Sequence, residues 1–183
     1  MGAKVWSGFV GHILPSLTLP ASFVQVVTND DLALVAALAK EIWTEHYTPI
    51  IGRAQVDYML GNIQSEHAIQ QQIDRENFLY YLIETEGTFV GYIGVQLGDK
   101  ELFLSKVYVR ESERGKGLGG EAICFVTGLA RRRGAEKISL TVNKNNTVAI
   151  RSYEKYGFNN LGSTVKDIGG GFVMDDYRME LKL

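Results

Sequence analysis

Cysteine, histidine and proline are scarce in this chain, and their scarcity excludes several classes of protein. The 183 residues include one cysteine, three histidines and three prolines. A single cysteine, Cys124, excludes an internal disulfide, and we interpret it as a core residue beside the apolar stripe of a helix. The three histidines are scattered and have no metal-ligand spacing. The sequence therefore predicts a cytoplasmic protein without a metal.

Strong charge and long apolar runs are also missing. The net charge is −2, and the one basic run, Arg131–Arg133, stands at a predicted helix end, where it suits the helix dipole. No apolar run reaches the roughly 20 residues that cross a membrane. We therefore expect neither a nucleic acid nor a membrane as a partner.

The first 21 residues differ from the rest of the chain. Lys4 and the apolar residues after it have a faint likeness to a signal peptide, but His12 and Pro15 interrupt the apolar region and no A-x-A site follows. We expect residues 1–21 to be a loosely ordered N-terminal extension, or the product of an upstream start codon. Residues 22–183 have the length and composition of a single domain.

From Ser22 onward, hydrophobic periodicity predicts a mixed α/β domain with the order β, α, α, β, β, β, α, β, α, β, β. The first helix is predicted to begin at Thr28 and the first-turn acids that follow it. It should extend to about Tyr47, because Pro49 and Gly52 break the pattern. The other predicted helices span 55–73, 117–133 and 147–156. The predicted strands span 23–27, 78–83, 89–95, 102–109, 137–142, 162–168 and 173–183.

A glycine-rich turn precedes the third predicted helix. Gly115, Gly117, Gly119 and Gly120 lie within six positions, although each glycine in a helix costs roughly 0.5–1 kcal/mol relative to alanine. The turn is either a flexible surface loop or a concave set of free amides that binds phosphate oxygens. A dinucleotide fingerprint needs a preceding βαβ strand and a ribose-binding acid, and a P-loop needs Gly-Lys-Ser/Thr, so both are set aside.

Two motifs on the chain resemble the GCN5-related N-acetyltransferase (GNAT) family. The run Arg114-Gly115-Lys116-Gly117-Leu118-Gly119 matches the family's pyrophosphate signature Q/R-x-x-G-x-G/A, and residues 146–158 match N-x-x-A-x-x-x-Y-x-K-x-G-F. The order of elements agrees from Phe23 to the C-terminus. The resemblance implies one acetyltransferase domain over residues 22–183. Its fold would be a mostly antiparallel sheet of about seven strands and about four helices, with the fourth and fifth strands splayed apart.

The same resemblance implies acetyl-CoA as the donor of an acetyl group that passes directly to a primary amine. Tyr153 would be the general acid for the leaving thiolate, although it could be an ordinary buried aromatic. Asn146 would contact the cofactor, or would only cap a helix. The remaining implied cofactor contacts are the backbone of Val107, Tyr108 and Val109, and the turn residues Arg114, Gly115, Lys116, Gly117, Leu118, Gly119 and Gly120. The two valines could equally be core, and Arg114 and Lys116 could be solvated surface charges.

The acceptor side is left open by the sequence. The group that takes the amine's proton could be a water or one of several side chains: Glu84, Glu86, Glu101, Ser105, His46 or Tyr47. The closing segment F-V-M-D-D-Y-R-M-E resembles polyamine-type members of the family, and Asp175 and Asp176 could attract a cationic acceptor or form an acidic surface turn. We therefore expect a small-molecule amine or polyamine as acceptor. The alternatives are a protein N-terminus or lysine as acceptor, or a non-catalytic acyl-CoA-binding regulatory domain. A homodimer is also possible under either function.

Overall fold

One mixed sheet with helices on both faces organises residues 20–183, the part of the chain that this computed structural model describes. Its strands are β1 (Ser22–Gln25), β2 (Phe78–Thr85), β3 (Thr88–Leu97), β4 (Glu101–Val109), β5 (Lys137–Asn143), β6 (Asn159–Gly169) and β7 (Phe172–Lys182). Its helices are α1 (Asn29–Ile51), α2 (Arg53–Asn62), α3 (Glu66–Arg75), α4 (Leu118–Arg132) and α5 (Thr147–Lys155). The extension predicted over residues 1–21 lies outside the described residues, apart from Pro20 and Ala21.

The strand order is β1-β2-β3-β4-β5-β7-β6, and the β4–β5 pair alone is parallel in the described sheet. The fold predicted from the sequence is confirmed, including the separation of the fourth and fifth strands. Apolar side chains of one sheet face pack with α4 and α5, and those of the other face pack with α1, α2 and α3. The central strands are therefore covered on both sides, which agrees with their nearly continuous apolar sequence.

The helical region before β2 differs from the prediction in two ways. The α1 helix continues through Pro49 to Ile51 and ends at Gly52, because Tyr47 and Ile51 both pack on the core and offset the hydrogen bond that proline cannot donate. The single helix predicted over residues 55–73 is two helices, because the side chain of Ser65 accepts from the amide of Ala68 and starts α3.

Cys124 is also placed differently from the prediction. Its side chain is exposed on α4, whereas Ile123 and Val126 of the same helix are buried. The apolar stripe of α4 therefore passes beside Cys124 without including it, and the interpretation of this cysteine as a core residue was wrong. Periodicity identified the helix correctly but not the edge of its buried face.

A β-bulge in β4 lies where this strand separates from β5 at the centre of the sheet. Leu104 pairs with Val95 and Lys106 pairs with Gly94, so Ser105 is an extra residue on β4. Pairing between β4 and β5 ends just before this bulge, at Phe103 and Ser139. Because a bulge bends its strand and reverses the side-chain alternation, β4 leaves β5 here and turns Lys106 and Tyr108 towards α1 and α3.

Candidate active site

The glycine-rich turn joins the end of β4 to the start of α4. A short 3₁₀ turn, Glu111–Glu113, comes first, and Gly115 and Gly117 then adopt φ values of +79° and +91°. Only glycine adopts this left-handed region readily, which explains the two glycines and places Gly117 at the N-cap of α4. Within residues 20–183, the amides of Leu118 and Gly119 have no hydrogen-bond acceptor. The turn therefore presents free N–H groups at a helix N-terminus.

Space in front of these amides is open. A Cβ atom added at Gly115, Gly117 or Gly119 would meet no described atom within 4 Å. At Gly120 it would collide with the hydroxyl of Tyr156, whose Cζ would lie 3.0 Å away. The first three glycines thus leave room for a ligand, whereas the fourth is explained by its contact with α5.

Positive charge flanks the turn. The Nε atom of Arg114 donates to the carbonyl of Val109 over 3.2 Å, and Lys116 forms an ion pair of 2.9 Å with Glu113. Both side chains are thereby tied to the segment that precedes α4. Together with the helix dipole, they make the turn a favourable site for a phosphate group.

The upper part of β4 is unpaired on the side that faces β5. Residues 101–103 of β4 pair with β5, whereas Val107, Tyr108 and Val109 have no partner strand on that side in the described structure. The side chains of Val107 and Val109 pack towards α4, and that of Tyr108 packs towards α1. The backbone edge of these three residues is therefore available to a ligand, while their side chains belong to the core.

One cavity of about 900 Å³ connects the glycine-rich turn to the space between β4 and α5 and to the opposite sheet face. Tyr153 lines this cavity, and its ring packs edge-on against Phe158 with a centroid distance of 5.4 Å. Its hydroxyl makes no hydrogen bond to a described residue. Burial raises the pKa of Tyr153, and nearby Tyr47 adds to the effect. The phenol therefore keeps its proton at neutral pH and can donate it.

Asn146 connects α5 to α1. Its Oδ1 atom accepts from the amide of Ala149 over 3.2 Å and caps α5, so its Nδ2 atom faces His46 and donates to Nε2 over 3.2 Å. Burial, followed by the charge of Arg114, lowers the pKa of His46. Asn146 thus has the capping role that the sequence analysis left open, and it also lines the cavity.

Two buried ionisable groups on the α1 side of the cavity were not resolved by sequence reasoning. Lys106 is 6% exposed, and its Nζ atom contacts Ser105 Oγ at 3.1 Å, Gln72 Oε1 at 3.3 Å and the ring of Phe78. Burial lowers its pKa to about 7, although Glu76 opposes this shift. Asp176 is 3% exposed in the middle of β7, whereas its neighbour Asp175 is exposed and ion-paired with Lys144. The two aspartates therefore belong to a strand and do not form a surface turn.

The residues considered as proton acceptors separate into two groups. His46, Tyr47 and Ser105 line the cavity. Glu101 instead lies at the paired start of β4 with Ser139 and Lys137, Glu84 accepts from Ser22, and Glu86 lies in the turn after β2, all outside the cavity lining. No alternation pattern distinguishes these two groups in the sequence, because the distinction depends on how distant strands align.

Metal and membrane features are not found in the described part of the chain. Residues 20–183 contain no group of three or more His, Cys, Asp or Glu side chains that could hold a metal ion. Among the helices of the same residues, none combines the length and apolar character needed to cross a bilayer.

Comparisons with known proteins agree with this geometry. The family model described as Acetyltransferase (GNAT) family matches residues 37–158. The uncharacterized N-acetyltransferase YobR of Bacillus subtilis is 44% identical over 55 residues, which cover 30% of this chain but only 22% of that protein. The spermidine N(1)-acetyltransferase of Thermoplasma acidophilum is 20% identical over 157 residues, covering 83% of this chain and 94% of that protein. The crystal structure of PaiA N-acetyltransferase from Thermoplasma acidophilum, in complex with coenzyme A, has a TM-score of 0.72 at 18% identity, over 90% of this chain and 100% of that chain.

Proposed function

The chain belongs to the GNAT acetyltransferase family, and we propose that it transfers the acetyl group of acetyl-CoA to a primary amine of a small cationic molecule such as a polyamine. The observation that carries this proposal is the single cavity that joins the free amides of the glycine-rich turn to Tyr153 and to a buried carboxylate, Asp176. The free amides can bind the phosphates of the donor, and Tyr153 can supply a proton in the reaction. The carboxylate of Asp176 can attract a cationic acceptor.

The donor site fits coenzyme A in its shape and chemistry. Bound there, acetyl-CoA supplies an activated acetyl thioester. The amides of Leu118 and Gly119, with Arg114 and Lys116 beside them, would hold its diphosphate in the open space that the glycines leave. The unpaired backbone of Val107 and Val109 would bind the pantetheine arm in the way that a neighbouring strand binds.

Tyr153 acts in this proposal as the general acid. A thiolate leaving group needs a proton or a strong hydrogen bond, and a phenol whose pKa is raised by burial holds that proton until it is needed. A backbone N–H of the unpaired β4 edge would stabilise the negative oxygen that develops on the carbonyl under attack. Both groups are fixed in place by the sheet and by α5.

The form of the acceptor side favours a small molecule over a protein. Buried and half-buried side chains of α1, α2, β2 and β7, and of the residue that follows α2, surround this part of the cavity: Ile51, Met59, Ile63, Phe78 and Met174. Such apolar walls suit the methylene groups of an alkylamine, and the few polar groups between them suit its amines. The spermidine acetyltransferase relative acts on a substrate of this class. A cytoplasmic location and a homodimer stay predictions.

Turnover of an amine panel tests the proposal. Release of coenzyme A, followed with a thiol reagent, should be fast with a diamine or polyamine, slower with a short monoamine and slow with a peptide that has a free N-terminus. The rate without amine is the control. Tight acetyl-CoA binding combined with no amine-dependent thiol release would replace the proposal with a non-catalytic acyl-CoA-binding role.

A further inference from the structure

Asp176 is a buried carboxylate with one oxygen that has no protein partner in the described structure. Its side chain is 3% exposed, and its Oδ1 atom is buried without a hydrogen-bond partner among the described residues. Burying a charged group costs free energy unless a partner compensates, and native proteins leave few such groups unsatisfied. Because Asp176 lines the cavity, the missing partner can be a bound molecule.

The position of Asp176 places it on the acceptor side. On β7 it pairs with Asn143 of β5 and with Thr164 of β6, and its side chain shares a sheet face with Met174, which packs on the α1–α3 core. Asp176 is close enough to Tyr47 for its charge to raise the pKa of that phenol. Tyr47 in turn adds to the raised pKa of Tyr153. Asp176, Tyr47 and Tyr153 also line the same cavity, so one bound molecule can contact the carboxylate and the proposed acid.

We propose that the Asp176 carboxylate binds the ammonium group of the acceptor and accepts the proton that this group must lose before it attacks. This inference rests on the proposed function and deepens it, because it names the acceptor as a primary alkylamine that arrives protonated. An ammonium group supplies both the charge and the N–H donors that the unpartnered oxygen lacks.

The chemical step is balanced by the groups that are present. The acceptor R–NH₃⁺ gives one proton to Asp176 and becomes R–NH₂, whose lone pair forms the C–N bond to the acetyl carbonyl. The C–S bond breaks, and the leaving thiolate takes the proton of Tyr153. The acylated nitrogen still carries one extra proton and gives it to the phenolate of Tyr153. The products are the acetamide and free coenzyme A, and Asp176 releases its proton to solvent.

The surroundings of Asp176 agree with a role as a proton acceptor. Burial raises the pKa of Asp176 from its ordinary value, Asp175 adds to this effect, and Thr141 and Lys144 oppose it. A carboxylate of raised pKa is a stronger base near neutral pH. The other titratable or charged groups that line the cavity or share this face are His46, Tyr47, Glu76, Lys106, Tyr108, Glu113, Arg114, Tyr153, Tyr156, Lys166 and Arg178.

The other candidate bases in the cavity already have protein partners. His46 Nε2 accepts from Asn146, and Lys106 is surrounded by Ser105, Gln72 and two aromatic rings. Lys106 would also repel an ammonium group whenever it is protonated. Two other carboxylates, Glu76 and Glu113, also line the cavity, but Glu76 is exposed and Glu113 is paired with Lys116. Asp176 is the buried carboxylate among these described groups, and one of its oxygens lacks a partner.

Replacing Asp176 with asparagine separates this role from a structural one. The full chain carrying Asp176→Asn is compared with Asp175→Asn, a control on the same strand whose side chain points to solvent. Each is assayed with propylamine, which is protonated at neutral pH, and with trifluoroethylamine, whose fluorines keep it neutral. Calorimetry with acetyl-CoA and thermal unfolding check the donor site and the fold.

The proposal predicts a loss that depends on the charge of the amine. Asp176→Asn should lower kcat/KM for propylamine by about a hundredfold or more, and for trifluoroethylamine by about threefold or less, with acetyl-CoA affinity retained. Asp175→Asn removes only an exposed charge and should change both rates by about threefold or less. An equal loss with both amines, or no loss with either, would overturn the role of Asp176. If the unaltered protein turns over no amine, the proposed function itself fails.

Discussion

The two sides of the β4–β5 opening are built from different chemical groups. On the α4 side, the cavity wall is a backbone surface, because the glycines of the turn expose amides and leave the space in front of them empty. On the α1 side, the wall consists of side chains, with Lys106 and Asp176 buried among aromatic and aliphatic residues. A backbone surface can bind the same diphosphate in many sequences, whereas a side-chain surface changes with single substitutions. We infer that the first side sets the donor and the second sets the acceptor.

Tyr153 lies where the two sides meet, and its replacement should have the largest effect. Tyr153→Phe keeps the ring that packs on Phe158 but removes the hydroxyl. We expect kcat to fall by about ten- to a thousandfold with little change in acetyl-CoA affinity, because the lost proton acts in the transition state rather than in binding. Steady-state kinetics and calorimetry measure the two quantities.

Tyr81→Phe is the matched control for this experiment. Tyr81 is 7% exposed, packs edge-on against Phe125 in the core and does not line the cavity. Loss of its hydroxyl should leave kcat within about twofold. A rate for Tyr153→Phe that matches this control would make Tyr153 an ordinary core aromatic.

Gly119 tests the backbone side with a smaller expected effect. Its φ is not in the left-handed region, and an added Cβ would meet no described atom within 4 Å, so Gly119→Val should fold without strain. In the complex, the added bulk would occupy the space proposed for the diphosphate. We expect the Kd for acetyl-CoA to rise about ten- to a hundredfold, as measured by calorimetry.

Gly61→Val provides the comparison for this substitution. Gly61 is an exposed glycine of α2 with equally open surroundings, far in sequence from the turn. Its replacement should leave acetyl-CoA affinity unchanged, and both variants should unfold at similar temperatures. Full affinity in Gly119→Val would place the phosphates elsewhere.

The backbone side could be predicted from sequence because its signal is local. Arg114, Gly117 and Gly119 stand in one short run directly before a helix, and positive φ angles and free amides follow from glycine at those positions. Asn146 and Tyr153 belong to a second local motif on α5. The order of strands and helices was predictable for the same reason, since periodicity and turn residues are properties of short windows.

The side-chain side could not be predicted because it depends on distant alignments. Lys106 faces α3 only because the bulge at Ser105 reverses the alternation of β4, and no residue type announces that bulge. Asp176 and Asp175 are adjacent and identical, and only the pairing of β7 with β5 and β6 decides which one is buried. The exposure of Cys124 is a similar case, set by how α4 rests on the sheet.

Replacement of Lys106 should have the smallest effect. It tests whether the buried ammonium group raises or lowers the stability of the folded chain. Folding lowers the pKa of Lys106 from 10.5 to about 7 because the residue is buried. Between these pH values the unfolded chain holds one more proton than the folded chain, so stability rises as pH rises from about 7 towards 10.5. Below about pH 7 the whole cost of burying the charge is present, and contacts with Ser105, Gln72 and Phe78 offset part of it.

Lys106→Met removes that cost while it keeps much of the volume. We expect the free energy of unfolding to rise by about 1–2 kcal/mol at or below neutral pH, and the gain to shrink as pH approaches 10. Urea denaturation at several pH values measures both the gain and its slope. Lys100→Met, at an exposed lysine paired with Glu136, should stay within about 0.5 kcal/mol of the unaltered protein at every pH. A loss of stability in Lys106→Met would mean that the contacts of the ammonium group outweigh its burial, and the buried lysine would then be part of what holds β4 to α3.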